Sequence, residues 1–445
     1  MSDTRTPARR WGRGAAALGA GLALTLAACS GPTATPTTAP TPDGESSAPT
    51  QPVTISFSWW GNDERAALTE QAIDLFESQN PGVTVETQFS TIDAYITKLA
   101  TQIASGSMPD LFLIPMESVK EYTAKGATTD LTPFIGSVIE ITDIPETTQK
   151  IGQIDGTFYG FTLGTATNAF IYNPTVWKEA GAKEPGVGFT WEDLIDAGAK
   201  IRAASDGKTA AISDPGGWIA WFGTWLRQNG KQQFTDTGEL GFTEQDLVDW
   251  WTLMEKLRDS GATTDAETTA TIDQSMQNSG LARGLAAGEF AAASLTGAYA
   301  DTLGADNVAL APLPSETDVL GLAMAGTNVA AISPKSPNQE LTAKFLNFMI
   351  NDPEAAAILG LTRGIPVNQA NYLALQPTLE GGNLTVSQFV STYADKFIDP
   401  DPLAPPGVST LPAEFTLAYQ NVMYGQLSVV DAAKAMYATY QAAIS

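Results

Sequence analysis

The stretch VTISFSWWGNDERAALTEQAIDLFESQNPGVTVETQFSTIDAYITKLATQIASGSMPDLFLIPME, residues 53–117, decides the fold. Val53, Ile55 and Phe57 alternate with polar residues, the period of a strand, and Leu68, Ala72, Ile73 and Phe76 then recur at helical spacing until Asn80-Pro81-Gly82 stops them. Val83, Val85 and Phe89 predict a second strand, Ile96, Leu99, Ala100 and Ile103 a second helix closing near Gly106, and Leu111-Phe112-Leu113-Ile114 a short apolar third strand. The order βαβαβ implies a parallel sheet covered by helices on both faces. Ligands of such sheets bind outside the carboxyl ends of the strands. Those ends are Trp59-Trp60-Gly61-Asn62-Asp63, Phe89-Ser90-Thr91 and Pro115-Met116-Glu117.

Upstream of this stretch, Arg5, Arg9, Arg10 and Arg13 precede the small and apolar run Gly14–Ala28, which ends at Cys29. A basic start and a short apolar run predict a signal peptide over residues 1–28, since a membrane-spanning helix needs roughly 20 apolar residues. Leu26-Ala27-Ala28-Cys29 resembles the bacterial lipobox, which implies a diacylglyceryl anchor on Cys29 and a place on the outer face of the cytoplasmic membrane. Arg9-Arg10 leaves the export route open between the general and the twin-arginine pathways. Residues 29–52, Cys29 followed by SGPTATPTTAPTPDGESSAPTQP, hold almost nothing to bury and predict a disordered, extended tether. Residues 53–445 contain no further low-complexity break, and Thr190-x-x-Asp193 and Ser428-x-x-Asp431 read as capping-box helix starts.

Composition narrows the function classes. The 445 residues carry a formal charge of −25, and cleavage before Cys29 would remove four arginines and one aspartate, leaving the chain more acidic still. Such a chain repels nucleic acid and anionic lipid surfaces. With no His and a single Cys, neither a Ser-His-Asp nor a Cys-His site can be built as usual, no intrachain disulfide can form, and no metal or other cofactor is expected. Ten Trp, eleven Tyr and eighteen Phe against a charged fraction of 16% favour a pocket of aromatic and uncharged polar groups, suited to neutral rings.

Several segments together carry a family resemblance. ISFSWWGNDE (55–64), LFESQNPGVTVETQF (75–89) and YITKLATQIASGSMPDLFLI (95–114) resemble the N-terminal pattern of the extracellular sugar-binding proteins of ABC importers, the family that includes maltose-binding protein. DGTFYGFTLGTATNAFIYNPTVWKEAG (155–181) resembles the segment that passes between lobes, and FTWEDLIDAGAKI (189–201), LAAGEFAAASLTGAYAD (285–301) and AISPKSPNQELTAKFLNFMINDPEA (331–355) resemble later elements in the family's order. The resemblance implies a two-lobed, periplasmic-binding-protein-like α/β fold with three hinge crossings and an inter-lobe ligand cleft. It implies an N-terminal lobe of residues 53–165 and 323–360 and a C-terminal lobe of 166–322 and 361–445. It further implies a carbohydrate as ligand, permease subunits in the membrane as partners, and no enzymatic activity.

A sugar offers C–H faces to aromatic rings and an equator of hydroxyls to planar polar groups. On that chemistry Trp59 and Trp60 are candidate platforms, one of which strand alternation turns to the opposite side; Asn62 and Asp63 are candidate polar contacts or helix caps; and Glu117 is a cleft residue or a solvated charge. Asp214, Trp218 and Trp221 resemble the second-lobe stretch that supplies a carboxylate and an aromatic platform, with Trp218 foremost. Tyr299 stands where relatives carry an aromatic after Gly-Pro, Asn328 lies near a crossing, and Arg363 falls in a loop where some relatives fork an arginine onto hydroxyls. Two rival functions remain open at this point: a receptor for a cation such as a polyamine, which acidic groups and Trp faces also suit, and a glycoside hydrolase, for which no carboxylate pair is evident.

Overall fold

The computed structural model describes residues 52–273 and 275–445; the expected leader, Cys29 and the tether up to residue 51 lie outside the described residues. β1 (Val53–Trp60), α1 (Asp63–Gln79), β2 (Val83–Ser90), α2 (Ile92–Ser105) and β3 (Leu111–Pro115) follow one another as the periodicity requires. β1 pairs in parallel with β2 from Val53↔Val83 to Trp60↔Ser90, and with β3 on its other side. A fourth strand, Asn328–Ile332, returns antiparallel to β3, a partner that local periodicity does not reveal.

Part-buried serines, the buried Tyr95 and one carboxylate lock this sheet. Asp110, of the Pro-Asp pair before β3, accepts from the Ser56 N–H at 2.8 Å and the Ser56 hydroxyl at 2.7 Å, and from the Ser336 hydroxyl, so it ties β1, β3 and the segment after the fourth strand. The direct β1–β3 ladder covers Phe57↔Leu111 and Ser58↔Phe112. Beyond it the Tyr95 hydroxyl takes over, accepting from the Leu113 N–H and donating to the Leu113 carbonyl, both at 2.9 Å. A buried backbone pair that has left the ladder must find such a partner.

Two main cores lie on either side of the crossings. The first gathers Phe57, Trp59, Phe76 and Leu113 with Val329–Ile332, Phe345 and Val367. The second surrounds the antiparallel sheet of Asn168–Tyr172 with Gly288–Ala292 and Ala309–Ala311, and is built on Trp177, Trp191, Trp250 and Trp251 with Phe222, Phe415 and Tyr440. The Thr190–Asp193 capping box is complete; at Ser428 the hydroxyl accepts from the Asp431 N–H, and a further box, Thr243 with Asp246, starts helix Glu244–Asp259. Among the described residues no helix is long and apolar enough to cross a membrane.

The chain passes between the cores three times. Thr165–Ala166 pairs antiparallel with Ala325–Gly326, while Thr165 also exchanges backbone hydrogen bonds with Ile365, at 2.9 and 2.7 Å. The expected boundary at residue 361 moves. Val367 packs in the first core, the Gln369 N–H donates to the Asp143 carbonyl, and the Asn371 side chain donates to the Asn351 carbonyl. Residues 361–375 therefore pack with the first lobe. Val386 and Phe389 of the next long helix, Gly381–Thr392, pack with Ala169, Leu320 and Leu322 on the second-lobe side, so the third crossing falls between helix Gln369–Leu375 and this one.

Gly364 shows how tightly these strands meet. Its φ is +101°, and a Cβ there would stand 2.4 Å from the Thr165 carbonyl oxygen. Gly364→Ala combines a disfavoured backbone region with a backbone clash, and is expected to destabilise by about 2 kcal/mol. Urea unfolding checks this, and a change within error would show that the 364–365 segment can slide off Thr165.

Candidate functional site

Beside the first two crossings, at Ala166, Asn168 and Ala323–Gly326, lies a cavity of about 840 Å³ with walls from both lobes. The first-lobe wall comprises Met116 and Glu117, just past the carboxyl end of β3, and the segment from Lys150 to Asp155. The second-lobe wall is built by helix Ile219–Gln228, by Gln233–Asp236, and by the proline-rich run from Asp399 to Pro412. The carboxyl end of β3 therefore reaches the lining, while the two other strand ends lie off it.

Arg227 organises the second wall. Its Nε donates to the Gly321 carbonyl at 3.0 Å, Nη2 to the Thr224 hydroxyl at 3.1 Å, and Nη1 to Asp401 at 2.6 Å. Three of the five guanidinium N–H donors are engaged in this way, and they fasten the proline-rich run to the helix. Burial pushes the Asp401 carboxyl up and Arg227 pulls it back. Asn168 and Gln233 supply planar amides, with Asn168 reaching the Thr224 hydroxyl at 3.4 Å and Gln233 the Ile219 carbonyl at 3.4 Å. Phe234 is the aromatic residue of the lining, and it is buried.

Of the residues singled out from sequence, Glu117 lines this cavity, and its side chain is exposed. Trp59 does not: it is wholly buried, close to Phe57 at 4.7 Å and stacked on Phe89 at 6.0 Å, because alternation along β1 turns it into the first core. Trp60, on the opposite side, is half-buried beside Tyr95 and off the lining. Asn62 caps α1 by accepting from the Arg65 N–H at 2.9 Å, and Asp63 opens that helix, so both serve the helix terminus.

The second-lobe candidates also lie off this lining. Asp214 is buried and its carboxylate is taken up by the Tyr419 hydroxyl at 2.9 Å, the Gly216 N–H at 2.9 Å and Arg258 at 3.5 Å. Trp221 packs edge-on against Phe290 in the second core. Trp218 precedes helix Ile219–Gln228 and lies half-buried against that core; its neighbours Ile219 and Ala220 reach the lining and it does not. Tyr299 is buried, with its hydroxyl donating to Glu289 at 3.1 Å.

Asn328 and Arg363 are likewise internal. Asn328 is buried at the head of the fourth strand, its amide donating to the Thr327 hydroxyl at 2.9 Å. Arg363 is buried with Nη2 on the Thr69 hydroxyl at 2.8 Å and its guanidinium 6.0 Å from the Trp59 ring centre. Burial, with the guanidinium of Arg65 nearby, pulls Arg363 down to about 9.

Periodicity could not indicate Arg227, Gln233, Asn168 or the proline-rich run, because the turn of chain that gathers them is tertiary. The one local hint was DPDPLAPP (399–406), where prolines and acids alternate in a stretch that can be neither helix nor central strand.

This architecture is two-lobed, with a cavity beside the crossings between the lobes. Residues 60–356 match the family model for bacterial extracellular solute-binding proteins, and the chain belongs to that family. A family 1 extracellular solute-binding protein of Alicyclobacillus acidocaldarius has 27% identity and a TM-score of 0.69, covering 88% of this chain and 98% of its own. A periplasmic oligogalacturonide-binding protein of Yersinia enterocolitica shares the fold at 19% identity, with a TM-score of 0.75 over 88% of this chain and 100% of its own. The GacH receptor of Streptomyces glaucescens, solved with acarbose, does so at 19% identity and a TM-score of 0.72 over 88% and 98%. Curated relatives from Brucella abortus and Escherichia coli are 28% identical over 134 and 161 residues, so the chain spans about a third of the length of the curated relatives it matches (32% and 34%).

Two predictions follow from where these side chains lie. Trp59→Ala should destabilise by about 3–5 kcal/mol, as a large core truncation does, while ligand affinity of the folded fraction stays unchanged; a large loss of affinity at unchanged melting temperature would return Trp59 to the site. Glu289 is buried beside the hydroxyls of Ser279 and Tyr299 with no ion-pair partner among the described residues, and burial pushes its carboxyl up from the usual range. The folded state therefore holds this proton to higher pH than the unfolded chain, near 4.3. Its contribution is fully present below that value and is lost as pH rises through the folded value. Glu289→Gln should thus gain stability relative to the parent as pH rises from 4 to 7, read as the difference in melting temperature; a flat difference would mean that the hydroxyls compensate the charge.

Proposed function

We propose that this protein captures a carbohydrate between its two lobes and delivers it to the permease of an ABC importer. The observation that carries the reading is the cavity itself: both lobes wall it, paired crossings adjoin it, and hydrogen-bonding amides line it. Lobes joined by short crossings can rotate about them and close on a ligand. Gln153, Asn168 and Gln233 offer donors and acceptors in one plane each, which suits vicinal hydroxyls. Relatives of the same fold are named for binding oligogalacturonide, acarbose and cycloalternan, and the Escherichia coli relative is named for an ABC-transporter periplasmic-binding role. The reading includes export under the leader of residues 1–28 and a lipid anchor at Cys29, which would hold the receptor at the outer face of the cytoplasmic membrane near its permease.

A cationic ligand such as a polyamine is the second reading, favoured by the carboxylates of Glu117, Asp155, Asp236 and Asp399 on the lining. A thermal-shift panel of mono-, di- and oligosaccharides with polyamines and sugar phosphates separates the two, because a ligand bound by the native state raises the melting temperature. A shift with a set of sugars is expected. A shift with polyamines alone would overturn the carbohydrate reading.

A further inference from the structure

We infer that the ligand of the inter-lobe cavity is a sugar bearing a protonated amine, held with the amine against the second lobe. This rests on the carbohydrate reading above and names its substrate class.

The two walls differ in charge balance. On the first-lobe wall Glu117 and Asp155 are accompanied by Lys120 and by Lys150, which also lies 3.6 Å from Glu146 outside the lining. On the second-lobe wall the cation is Arg227, and its fork is already committed to Asp401, the Thr224 hydroxyl and the Gly321 carbonyl. Asp236 and Asp399 remain on that wall with no ion-pair partner among the described residues. Both side chains are exposed, so each is hydrated while the cavity is open to water.

Closure on a ligand changes this. Taking carboxylates from water without a compensating charge is unfavourable, and a neutral sugar supplies only hydroxyl donors. An acidic sugar would add repulsion. An ammonium supplies both the charge and three donors. Asp401 illustrates the same requirement on the same wall, because the more buried carboxylate there has a guanidinium at 2.6 Å.

The rest of the lining argues for a sugar body in place of a bare polyamine. A polyamine is a chain of methylenes and ammoniums that leaves Gln153, Asn168 and Gln233 without hydroxyl partners, and the lining offers it one aromatic residue, the buried Phe234. An amino sugar satisfies amides and carboxylates together.

The test is calorimetric titration of the full chain with glucosamine and its β-1,4-linked oligomers, their N-acetylated counterparts, and neutral gluco-oligomers of equal length. The amine forms are expected to bind about tenfold more tightly than the acetylated ones at low salt, a preference that shrinks as salt screens it. Asp236→Asn combined with Asp399→Asn should bring the amine-to-acetyl affinity ratio close to one. Equal or tighter binding of acetylated or neutral forms, an unchanged ratio in the double variant, or no binding by the amine series would each overturn the inference. In those cases a melting shift with a neutral sugar in the wider panel would leave the carbohydrate reading standing, whereas a shift with spermidine alone would remove both.

Discussion

The pairing of three chain segments at Thr165 is the constraint on which the rest depends. Thr165 exchanges two backbone hydrogen bonds with Ile365, and the Thr165–Ala166 segment pairs with Ala325–Gly326. Each interlobe segment at this point is therefore held by a neighbour that belongs to a different part of the sequence. Glycine is required where they touch: a Cβ at Gly164 would stand 2.3 Å from the Arg363 carbonyl oxygen, just as one at Gly364 would meet Thr165. Short, paired and glycine-lined, this junction fixes where the lobes meet, and so where a cavity can lie between them.

The lobes reach stability by different means. The first buries a mostly parallel sheet under helices and closes its polar exceptions with Asp110 and Tyr95. The second relies on clustered aromatic residues, tryptophans above all. Trp177 meets Phe170 and Phe189 edge to face, Trp191 meets Trp250 and Phe290, and Trp251 packs on Phe415. Such pairs stabilise beyond their buried area. With these indoles in the core, the cavity is lined by amides, charges and the single aromatic residue Phe234.

The α/β order was legible in residues 53–117 because period-2 and period-3.6 apolar patterns record local geometry, and the two-lobed plan was legible from the order of family-like segments. The fourth strand and the position of the third crossing were not, since Gln369 and Asn371 join the first lobe through hydrogen bonds to the Asp143 and Asn351 carbonyls, contacts that local periodicity does not record. Site residues were the least legible. An aromatic at a strand end can serve core or cleft, and Trp59 is settled by the side of β1 on which Phe57 and Phe345 already pack. Asp214 reads as a ligand carboxylate until Tyr419, some two hundred residues later, is found to occupy it (sequence separation 205).

Charge on the cavity is also a long-range property, and it explains why so acidic a chain needs few of its cations there. Arg227 is placed by its helix, but its effect falls on Asp401 across 174 residues of sequence, and its third bond reaches Gly321 beside a crossing. One side chain thus holds the proline-rich run, the helix and the hinge-proximal loop in a single arrangement. Prolines at 400, 402, 405 and 406 restrict the run's own freedom, so less order must be imposed on it when a ligand binds. On the amino-sugar proposal, a wall fixed in this way would offer Asp399, two residues from the anchored Asp401, as charge partly preorganised for a complementary ligand.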